Sequence, residues 1–301
     1  MGAMRPVAAF AILLVLAGLA AAEPGPGSGA HAAGDAGAGA VIVVPAATTS
    51  PPVRQALDSD LASTWDHAQV FLRYEDSDLN LRVISGPMDQ PYIRHFLALH
   101  AADPLPIVIH LHGCARSDDL ADIRNQGSTL AELGYIVIAP NSFARHDRPI
   151  SCDPRTQKRD FEAPLAQIQK WRIDELGYAL AQVLNAAWAD KAHIFAGGFD
   201  EGGDAVLAFT DPALAGRFAI GAPCRFEPQR ADKLPTMVIV SEHDLWFDAG
   251  HEPEARERCR QRLRGATNVS LFEPNGVLHD ALIYEESRVT LWNFLVRASF
   301  L

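Results

Sequence analysis

Short apolar runs alternate with longer amphipathic stretches through most of the chain beyond residue 100. The apolar runs are rich in Val, Ile and Phe, and they predict strands at 106–112, 135–139, 194–196, 217–221, 236–240 and 269–272. Apolar residues at helical spacing predict helices at 118–133, 167–187, 252–263 and 285–300. Because strands and helices alternate, we expect the α/β class, with a mainly parallel sheet covered on both faces.

Two earlier or longer segments depart from this alternation. Residues 69–75 and 79–84 alternate apolar and polar positions, which predicts two early strands, arranged as a hairpin around 76–78. Segment 141–164 is polar and contains three prolines, so we predict an irregular loop that crosses the sheet. Long loops of this kind often carry function.

The N-terminal segment has the pattern of a secretory signal. A basic residue, Arg5, precedes the apolar run Val7–Leu19, and three alanines ending at Ala22 follow it. A charged start, an apolar stretch and small residues before the cut are the parts of a signal peptide. We predict a signal at 1–22, cleavage after Ala22, and a secreted or periplasmic protein.

The next segment is dominated by Ala, Gly, Pro, Ser and Thr. Such a composition buries too little apolar surface to offset the entropy of ordering, so residues 23–54 are predicted to be a flexible tether. Residues 55–301 are long enough for one α/β domain with its own core. No later run is apolar for long enough to span a bilayer, and no cysteine near the predicted cut offers a lipid attachment point, so we expect no membrane anchor.

Charge excludes two classes of partner. The formal net charge is −11 and the pI is near 5.4. The sequence has no stripe of Lys and Arg and no basic patch with interleaved aromatic residues. Nucleic acids and anionic membranes are therefore not expected as partners. A small-molecule substrate is expected instead.

A glycine-rich corner follows the predicted strand at 194–196. Its core is the pentapeptide Gly198-Phe-Asp-Glu-Gly202, which matches G-x-S-x-G except that Asp200 replaces the serine. In G-x-S-x-G the small residues allow a sharp turn from strand to helix that lifts the central side chain above the sheet. Asp200 is therefore the candidate nucleophile.

Two further residues follow predicted strands in an informative order. Asp244 comes after the strand at 236–240, and His279 after the last strand. Nucleophile, acid, then histidine is the order of α/β-hydrolases. The chain resembles that superfamily, above all its compact secreted esterase and dienelactone-hydrolase-like branch, from about Pro106 to the C-terminus. The resemblance implies an α/β-hydrolase fold with no large cap domain.

The same resemblance implies where an oxyanion hole lies. His112-Gly113-Cys114 closes the strand at 106–112, where that fold places one backbone donor, and the residue after the nucleophile supplies the other. The expected donors are the backbone N–H groups of Cys114 and Glu201. No cofactor is expected.

Four cysteines lie in the predicted domain. In an oxidising compartment an even number favours disulfides, although four cysteines allow three connectivities. We prefer Cys114 with Cys152 and Cys224 with Cys259, because each pair joins elements that neighbour one another in the predicted fold. Free buried thiols that pack as small apolar residues remain the alternative.

The aspartate at position 200 changes the chemistry that is available. A serine forms an acyl-enzyme with an ester, whereas a carboxylate would form a mixed anhydride, which is a poor intermediate. At a saturated carbon, a carboxylate displaces a halide or opens an epoxide and leaves an alkyl ester, which His279 and Asp244 hydrolyse through water. Haloalkane dehalogenases and epoxide hydrolases use an Asp in this way, but they carry a helical cap where this chain has only 222–234.

Three functions follow. The first is an exported hydrolase of small ester, lactone or related electrophilic substrates that uses an Asp200–Asp244–His279 triad and a backbone oxyanion hole. In the second, Asp200 is an inactivating replacement of serine in an esterase-like protein that binds a ligand or has a structural role. The third is a haloalkane dehalogenase or epoxide hydrolase with Asp200 as the nucleophile and the loop at 141–164 as a lid.

Simpler roles exist for the same residues. Asp200 is a favoured residue type for capping the helix that follows it. Asp244 also fits a solvated turn, and His279 a loop histidine.

Two other groups of polar residues also allow either a functional or a structural interpretation. His110 and His112 alternate onto one strand face, but no third ligand is suitably spaced, so we expect buried, hydrogen-bonded histidines and no metal site. Residues 145–148, Arg-His-Asp-Arg, either contact an acidic substrate or are solvated.

Overall fold

The structure is a computed structural model. It describes residues 51–75, 81–114, 120–153, 158–159, 164–226, 233–247 and 254–300, with the side chains of 51–58, 75, 153 and 158–159 left aside. The predicted signal at 1–22 and the predicted tether as far as residue 50 lie outside the described residues, so both stay predictions.

An eight-stranded sheet forms the centre of the described domain. Its strands are β1 (Gln69–Glu75), β2 (Leu81–Pro87), β3 (Leu105–Leu111), β4 (Ile136–Ala139), β7 (Ala189–Phe199), β8 (Gly216–Ile220), β9 (Thr236–Ile239) and β10 (Val269–Phe272). The spatial order is β2-β1-β4-β3-β7-β8-β9-β10. Strand β1 is antiparallel to β2 and β4, and the pairs from β4 to β10 are parallel. The short strands β5 (Cys152–Asp153) and β6 (Lys158–Arg159) form a separate pair.

Helices cover both faces of the sheet. They are α1 (Pro51–Asp66), α2 (Pro91–Leu99), α3 (Arg124–Glu132), α4 (Leu165–Asn185), α5 (Glu201–Ala208), α6 (Ala255–Leu263) and α7 (Glu285–Ala298). Helices α2, α4 and α5 share one apolar core with Ile107 and Ile109 of β3. The intervening Val108 packs in a second core with α3 and α7. Alternate residues of β3 thus face opposite layers, which is why this strand is apolar throughout.

This arrangement is the α/β-hydrolase fold that the sequence predicts. The predicted strands correspond to β1–β4 and β7–β10, with ends that shift by a few residues. The connection from Ile220 to Thr236 is too short for a helical cap, as expected. Among the described helices, none combines the length and the apolar character needed to cross a bilayer.

Two helices and one boundary were not predicted. Helices α1 and α2 begin at Pro51 and Pro91, in keeping with the frequency of proline in the first turn of a helix. The helix predicted at 118–133 is in fact a 3₁₀ turn, Ala121–Ile123, followed by α3. Leu120, just before the turn, has a left-handed backbone (φ 49°, ψ 48°), which prevents the helix from extending further back.

The structure holds both disulfides that the sequence favours. Cys114 is bonded to Cys152, and Cys224 to Cys259, with Cα–Cα distances of 5.6 and 5.1 Å. The first disulfide ties the end of β3 to the polar loop that follows β4. The free-thiol alternative is therefore wrong.

Candidate active site

Asp200 lies at the sharp turn between β7 and α5. Its backbone has φ 48° and ψ −114°, a region that costs free energy for any residue other than glycine and that is held by the surrounding structure. The side chain is buried, with 1% of the residue exposed. Asp200 is the N-cap residue of α5, but its side chain makes no capping hydrogen bond to that helix. Helix capping thus does not account for the aspartate.

Glycines allow this turn to pack tightly. A Cβ atom at Gly198 would lie 2.4 Å from the carbonyl oxygen of Gly202, and a Cβ at Gly202 would lie 2.4 Å from the carbonyl oxygen at the end of β3. Neither distance is compatible with a side chain. The two glycines therefore let α5 start close against β3 and hold Asp200 beside the residues that follow β3.

The structure brings the three predicted triad residues together. Nδ1 of His279 lies 2.8 Å from Oδ2 of Asp244, and Nε2 of His279 lies 3.9 Å from Oδ1 of Asp200. A carboxylate only accepts hydrogen bonds, so Nδ1 carries a proton, and in the neutral ring Nε2 is the basic nitrogen. Oδ1 of Asp244 accepts the backbone N–H of Trp246 at 2.9 Å, which fixes the carboxylate. The basic nitrogen of His279 therefore faces Asp200.

Aromatic side chains hold the imidazole in place. The ring of Trp246 stacks on His279 with centroids 5.4 Å apart, while Phe199 and Phe247 lie at 4.9 and 5.3 Å. The hydroxyl of Tyr284 accepts the backbone N–H groups of the two residues before His279, at 2.8 and 3.0 Å. The sequence analysis missed these residues. Only the position of Trp246, two places after Asp244, hinted at such a role.

The two residues predicted to supply oxyanion donors lie next to Asp200. The backbone N–H of Cys114 donates to Oδ2 of Asp200 at 3.2 Å. Glu201 is the first residue of α5, and the first N–H groups of a helix have no partner within it. The side chain of Glu201 is buried and contacts Arg148 and Ser151. This carboxylate supports the turn through these contacts and does not line the cavity that opens at Asp200.

A cavity of about 330 Å³ opens at Asp200. Its lining residues are Gly113, Cys114, Asp122, Phe199, Asp200, Leu245, Trp246, Val277, Leu278 and His279. Leu245, Val277 and Leu278 are 58%, 44% and 42% exposed, so the rim of the cavity is apolar. Carboxyl and imidazole groups at the base of a cavity with an apolar rim suit a small molecule with a reactive centre and an apolar substituent.

A second carboxyl group, that of Asp122, lines this cavity. Its Oδ2 accepts the backbone N–H of Gly113 at 2.9 Å. Burial raises the pKa of Asp122 from 3.8 to about 6, and the negative charge of Asp200 adds to the rise. The sequence pattern does not mark Asp122, because nothing in it distinguishes this residue from other aspartates near a helix start.

Buried ion pairs fix the loop after β4. Arg145 and Arg148 are 5% and 9% exposed, so the prediction that residues 145–148 either contact a substrate or are solvated was wrong for both arginines. Arg145 binds Glu175 at 2.7 Å, and Arg148 binds Glu201. The side chains of the two residues between these arginines, by contrast, are exposed. The loop thus connects α4 to the residue that follows Asp200.

His110 and His112 are buried and hydrogen-bonded, as expected. Nε2 of His110 lies 2.7 Å from Oε1 of Gln126. Nε2 of His112 accepts the backbone N–H of Ser142 at 3.1 Å, so this nitrogen carries no proton. Burial lowers the pKa of His110 to about 4 and that of His112 well below 6.5. Within the described residues, no cluster of His, Cys, Asp and Glu is arranged to hold a metal ion.

The fold of this chain is similar to those of several solved structures. No protein-family model and no curated protein matches the chain. Among solved structures, a putative dienelactone hydrolase from Klebsiella pneumoniae is 22% identical with a TM-score of 0.45, over 65% of this chain and 87% of that one. Esterase PE8 is 19% identical with a TM-score of 0.44, over 65% and 93%. A thermophilic esterase from Thermogutta terrifontis, bound to butyrate, is 14% identical with a TM-score of 0.45, over 77% and 90%. At these scores the fold assignment rests on the strand order and the turn at Asp200.

Proposed function

We propose that this chain is a hydrolase of small electrophilic substrates that uses Asp200, Asp244 and His279. The observation that carries the proposal is the placement of the two oxygen atoms of Asp200. Oδ2 is held by the backbone N–H of Cys114 at 3.2 Å, and Oδ1 faces Nε2 of His279 at 3.9 Å. The carboxylate is thus fixed with one oxygen directed toward the basic nitrogen of the site.

The Cys114 contact favours attack by Asp200 on a saturated carbon. In an esterase the oxyanion donors must hold the carbonyl oxygen of the substrate, but here Oδ2 of Asp200 already occupies the Cys114 N–H. The same N–H is well placed for an intermediate that forms on Asp200 itself. Haloalkanes and epoxides are the substrates that pass through such an intermediate.

The reaction then has two steps. Oδ1 of Asp200 forms a bond to the saturated carbon while the bond from that carbon to halide or ring oxygen breaks, and the leaving group takes the electron pair. His279 next removes a proton from water, and the hydroxide adds to the carboxyl carbon of Asp200. Negative charge develops on Oδ2, against the Cys114 N–H. Cleavage between the carboxyl carbon and Oδ1 releases the alcohol, which takes the proton from His279.

Esters and lactones form the second substrate class, through a different route. The 3.9 Å between Oδ1 of Asp200 and Nε2 of His279 is too long for a direct hydrogen bond, so in this route a water on the cavity side of both atoms bridges them. Water activated by these two groups attacks the acyl carbon without any covalent step on Asp200. This route needs the substrate carbonyl to use the N–H of Glu201 or to displace Asp200 from Cys114.

Export is part of the proposal. The two disulfides are compatible with an extracellular or periplasmic compartment, where such bonds persist. The predicted signal at 1–22 supplies the route. The substrate is then a small molecule met outside the cytoplasm.

The test combines isotope labelling with a trapped intermediate. Wild type is given a haloalkane, an epoxide and an activated ester in heavy-oxygen water under single-turnover conditions, and Asp200 is analysed by peptide mass spectrometry. We expect label in Asp200 with the first two substrates, because its carboxyl carbon accepts the water oxygen. In His279→Gln the alkyl ester should accumulate as a covalent adduct, one per chain, whereas Asp200→Asn should form none.

The outcomes separate the three functions. Label in Asp200 selects the covalent route. Ester or lactone turnover with no label selects water activation. If wild type turns over none of the substrates and Asp200→Ser gains esterase activity, the chain is an impaired esterase-like protein and the proposal is wrong.

A further inference from the structure

Two carboxyl groups share one short stretch of backbone at the base of the cavity. The consecutive N–H groups of Gly113 and Cys114 donate to different side chains, the first to Asp122 at 2.9 Å and the second to Asp200 at 3.2 Å. A Cβ atom built on Gly113 would lie 3.2 Å from Oδ2 of Asp122 and 3.4 Å from Cβ of Asp200. The two aspartates thus flank the same glycine, and both line the cavity.

The surroundings of Asp122 favour its neutral form. Its Oδ1 is buried and has no hydrogen-bond partner among the described residues. Burial is the main cause of its raised pKa; the N–H of Gly113 and the charge of Arg172 in α4 oppose the rise, and the negative charge of Asp200 adds a smaller one. A protonated carboxyl group has an O–H to donate, whereas a carboxylate has none. Below about pH 6, where it is mostly protonated, Asp122 therefore places a proton donor beside the carboxylate of Asp200.

We propose that Asp122 is the general acid of this site and that the preferred substrates are epoxides, whose leaving oxygen needs a proton. The proposal rests on the proposed attack by Asp200 on a saturated carbon. Opening a ring without protonation leaves an alkoxide, a poor leaving group, whereas a halide departs as a stable anion and needs no acid. Among the described residues that line the cavity, Asp122 is the carboxyl group other than Asp200, so it is the group in place to supply this proton.

Over one turnover, the proton that Asp122 donates is replaced by one that ester hydrolysis releases. As Oδ1 of Asp200 bonds to the ring carbon and the carbon–oxygen bond breaks, the ring oxygen takes the proton of Asp122, which becomes a carboxylate. Water then hydrolyses the ester through His279, which returns Asp200 as a carboxylate and releases one proton. That proton restores Asp122. The overall reaction is epoxide plus water to diol, with no other reactant.

The experiment compares two substrates in one pair of proteins. Wild type and Asp122→Asn are assayed on styrene oxide and on a primary bromoalkane, from pH 5 to pH 8, with thermal unfolding as the check on folding. We expect Asp122→Asn to lose about 10²–10⁴-fold in kcat on the epoxide, the range for a general acid, and less than about tenfold on the bromoalkane. In wild type the epoxide rate should fall as the pH rises above about 6, and this fall should be missing in the variant.

A second readout does not depend on activity. Infrared difference spectra, wild type minus Asp122→Asn, should contain a protonated carboxyl band that titrates with a midpoint near pH 6. Equal losses on both substrates, or no such band, would overturn the role of Asp122. Turnover of the bromoalkane but not the epoxide by wild type would also overturn it while leaving the proposed function intact. If His279→Gln forms no adduct with either substrate, the covalent route on Asp200 fails, and this inference fails with it.

Discussion

The backbone N–H of Cys114 donates a 3.2 Å hydrogen bond to the carboxylate of Asp200. A serine in the same turn would be shorter and would not reach this donor through a second oxygen. The aspartate thus does two things at once: it places a carboxylate oxygen 3.9 Å from Nε2 of His279, and it occupies an N–H group that an esterase would offer to its substrate.

Replacing Asp200 with serine should therefore create an esterase. Asp200→Ser frees the Cys114 N–H and puts a hydroxyl within reach of His279, so we expect kcat/KM on p-nitrophenyl acetate to rise by about 10²-fold or more, the effect of one oxyanion donor. A burst of p-nitrophenol should report the acyl-enzyme. Asp200→Ala is the matched control, since it frees the same donor without supplying a nucleophile. An equal rise in Asp200→Ala, or no burst in Asp200→Ser, would contradict the prediction.

The convergence of the three triad residues could be predicted from the sequence, because each of them follows a strand of the parallel part of the sheet. The carboxyl ends of parallel strands lie at one edge of a sheet, so Asp200 after β7, Asp244 after β9 and His279 after β10 were expected to converge. Helix and strand periodicity also predicted most of the elements. These features depend on local pattern and chain order, which a single sequence displays directly.

The positions of the groups that reach the site from irregular segments could not be predicted from the sequence. Asp122 contacts Gly113 from a 3₁₀ turn that follows the left-handed backbone of Leu120, and no residue type there signals this conformation. Arg148 pairs with Glu201 across 53 positions, and Arg145 with Glu175 across 30. Such pairings depend on the path of a loop, and a run of charged residues looks the same whether it is buried or solvated.

The two disulfides should separate stability from activity. Cys114–Cys152 and Cys224–Cys259 close loops of similar length, with separations of 38 and 35 residues, so removing either pair by double alanine substitution should cost about 2–4 kcal/mol of unfolding free energy. Only the first pair includes a residue that lines the cavity. We expect kcat to fall in Cys114→Ala/Cys152→Ala and to change little in Cys224→Ala/Cys259→Ala.

Urea unfolding and steady-state kinetics on the same samples give both quantities. Equal losses of activity in the two double variants would show that the Cys114 position is not special. Wild type under denaturing, non-reducing conditions should release no reactive thiol, since every cysteine is bonded.

Glu175 should be among the most sensitive residues for folding. Its buried carboxylate binds Arg145 at 2.7 Å, Arg172 at 2.9 Å and the hydroxyl of Ser142 at 2.9 Å. Glu175→Ala leaves two buried guanidinium groups without this partner, so we expect a loss of about 3–5 kcal/mol. The neighbouring Asp174 is paired at the surface with Lys170, so Asp174→Ala should lower the unfolding free energy by at most about 1 kcal/mol.

Denaturant titration of the two variants makes the comparison on one helix. Glu175→Gln, which keeps the shape and the acceptor oxygen, should fall between them. If Glu175→Ala and Asp174→Ala unfold at the same denaturant concentration, the buried ion pairs do not stabilise the loop as the structure indicates.

Asp122 should make stability depend on pH in the opposite direction to a typical acidic residue. Its pKa is about 6 in the folded protein and 3.8 when unperturbed, so the folded state holds the proton more tightly. Its contribution is therefore most favourable below pH 3.8 and is lost as the pH rises to about 6, a change of about 3 kcal/mol. Asp122→Asn has no proton to lose, and its unfolding free energy relative to wild type should rise across this window and stay level above it.

Asp190 provides a control of opposite sign. Its hydrogen bond to His193 lowers the pKa of the carboxyl group and raises that of the imidazole, so this pair stabilises the fold above pH 3.8 while His193 is protonated. Asp190→Asn should therefore be less stable than wild type near pH 5, and this difference should shrink as the pH falls below 3.8, whereas the unfolding free energy of Asp122→Asn relative to wild type should rise from pH 3.8 to about 6. Urea unfolding at half-unit pH steps measures both differences. If the unfolding free energies of Asp122→Asn and wild type change in parallel from pH 4 to pH 7, the pKa of Asp122 is not raised in the folded protein.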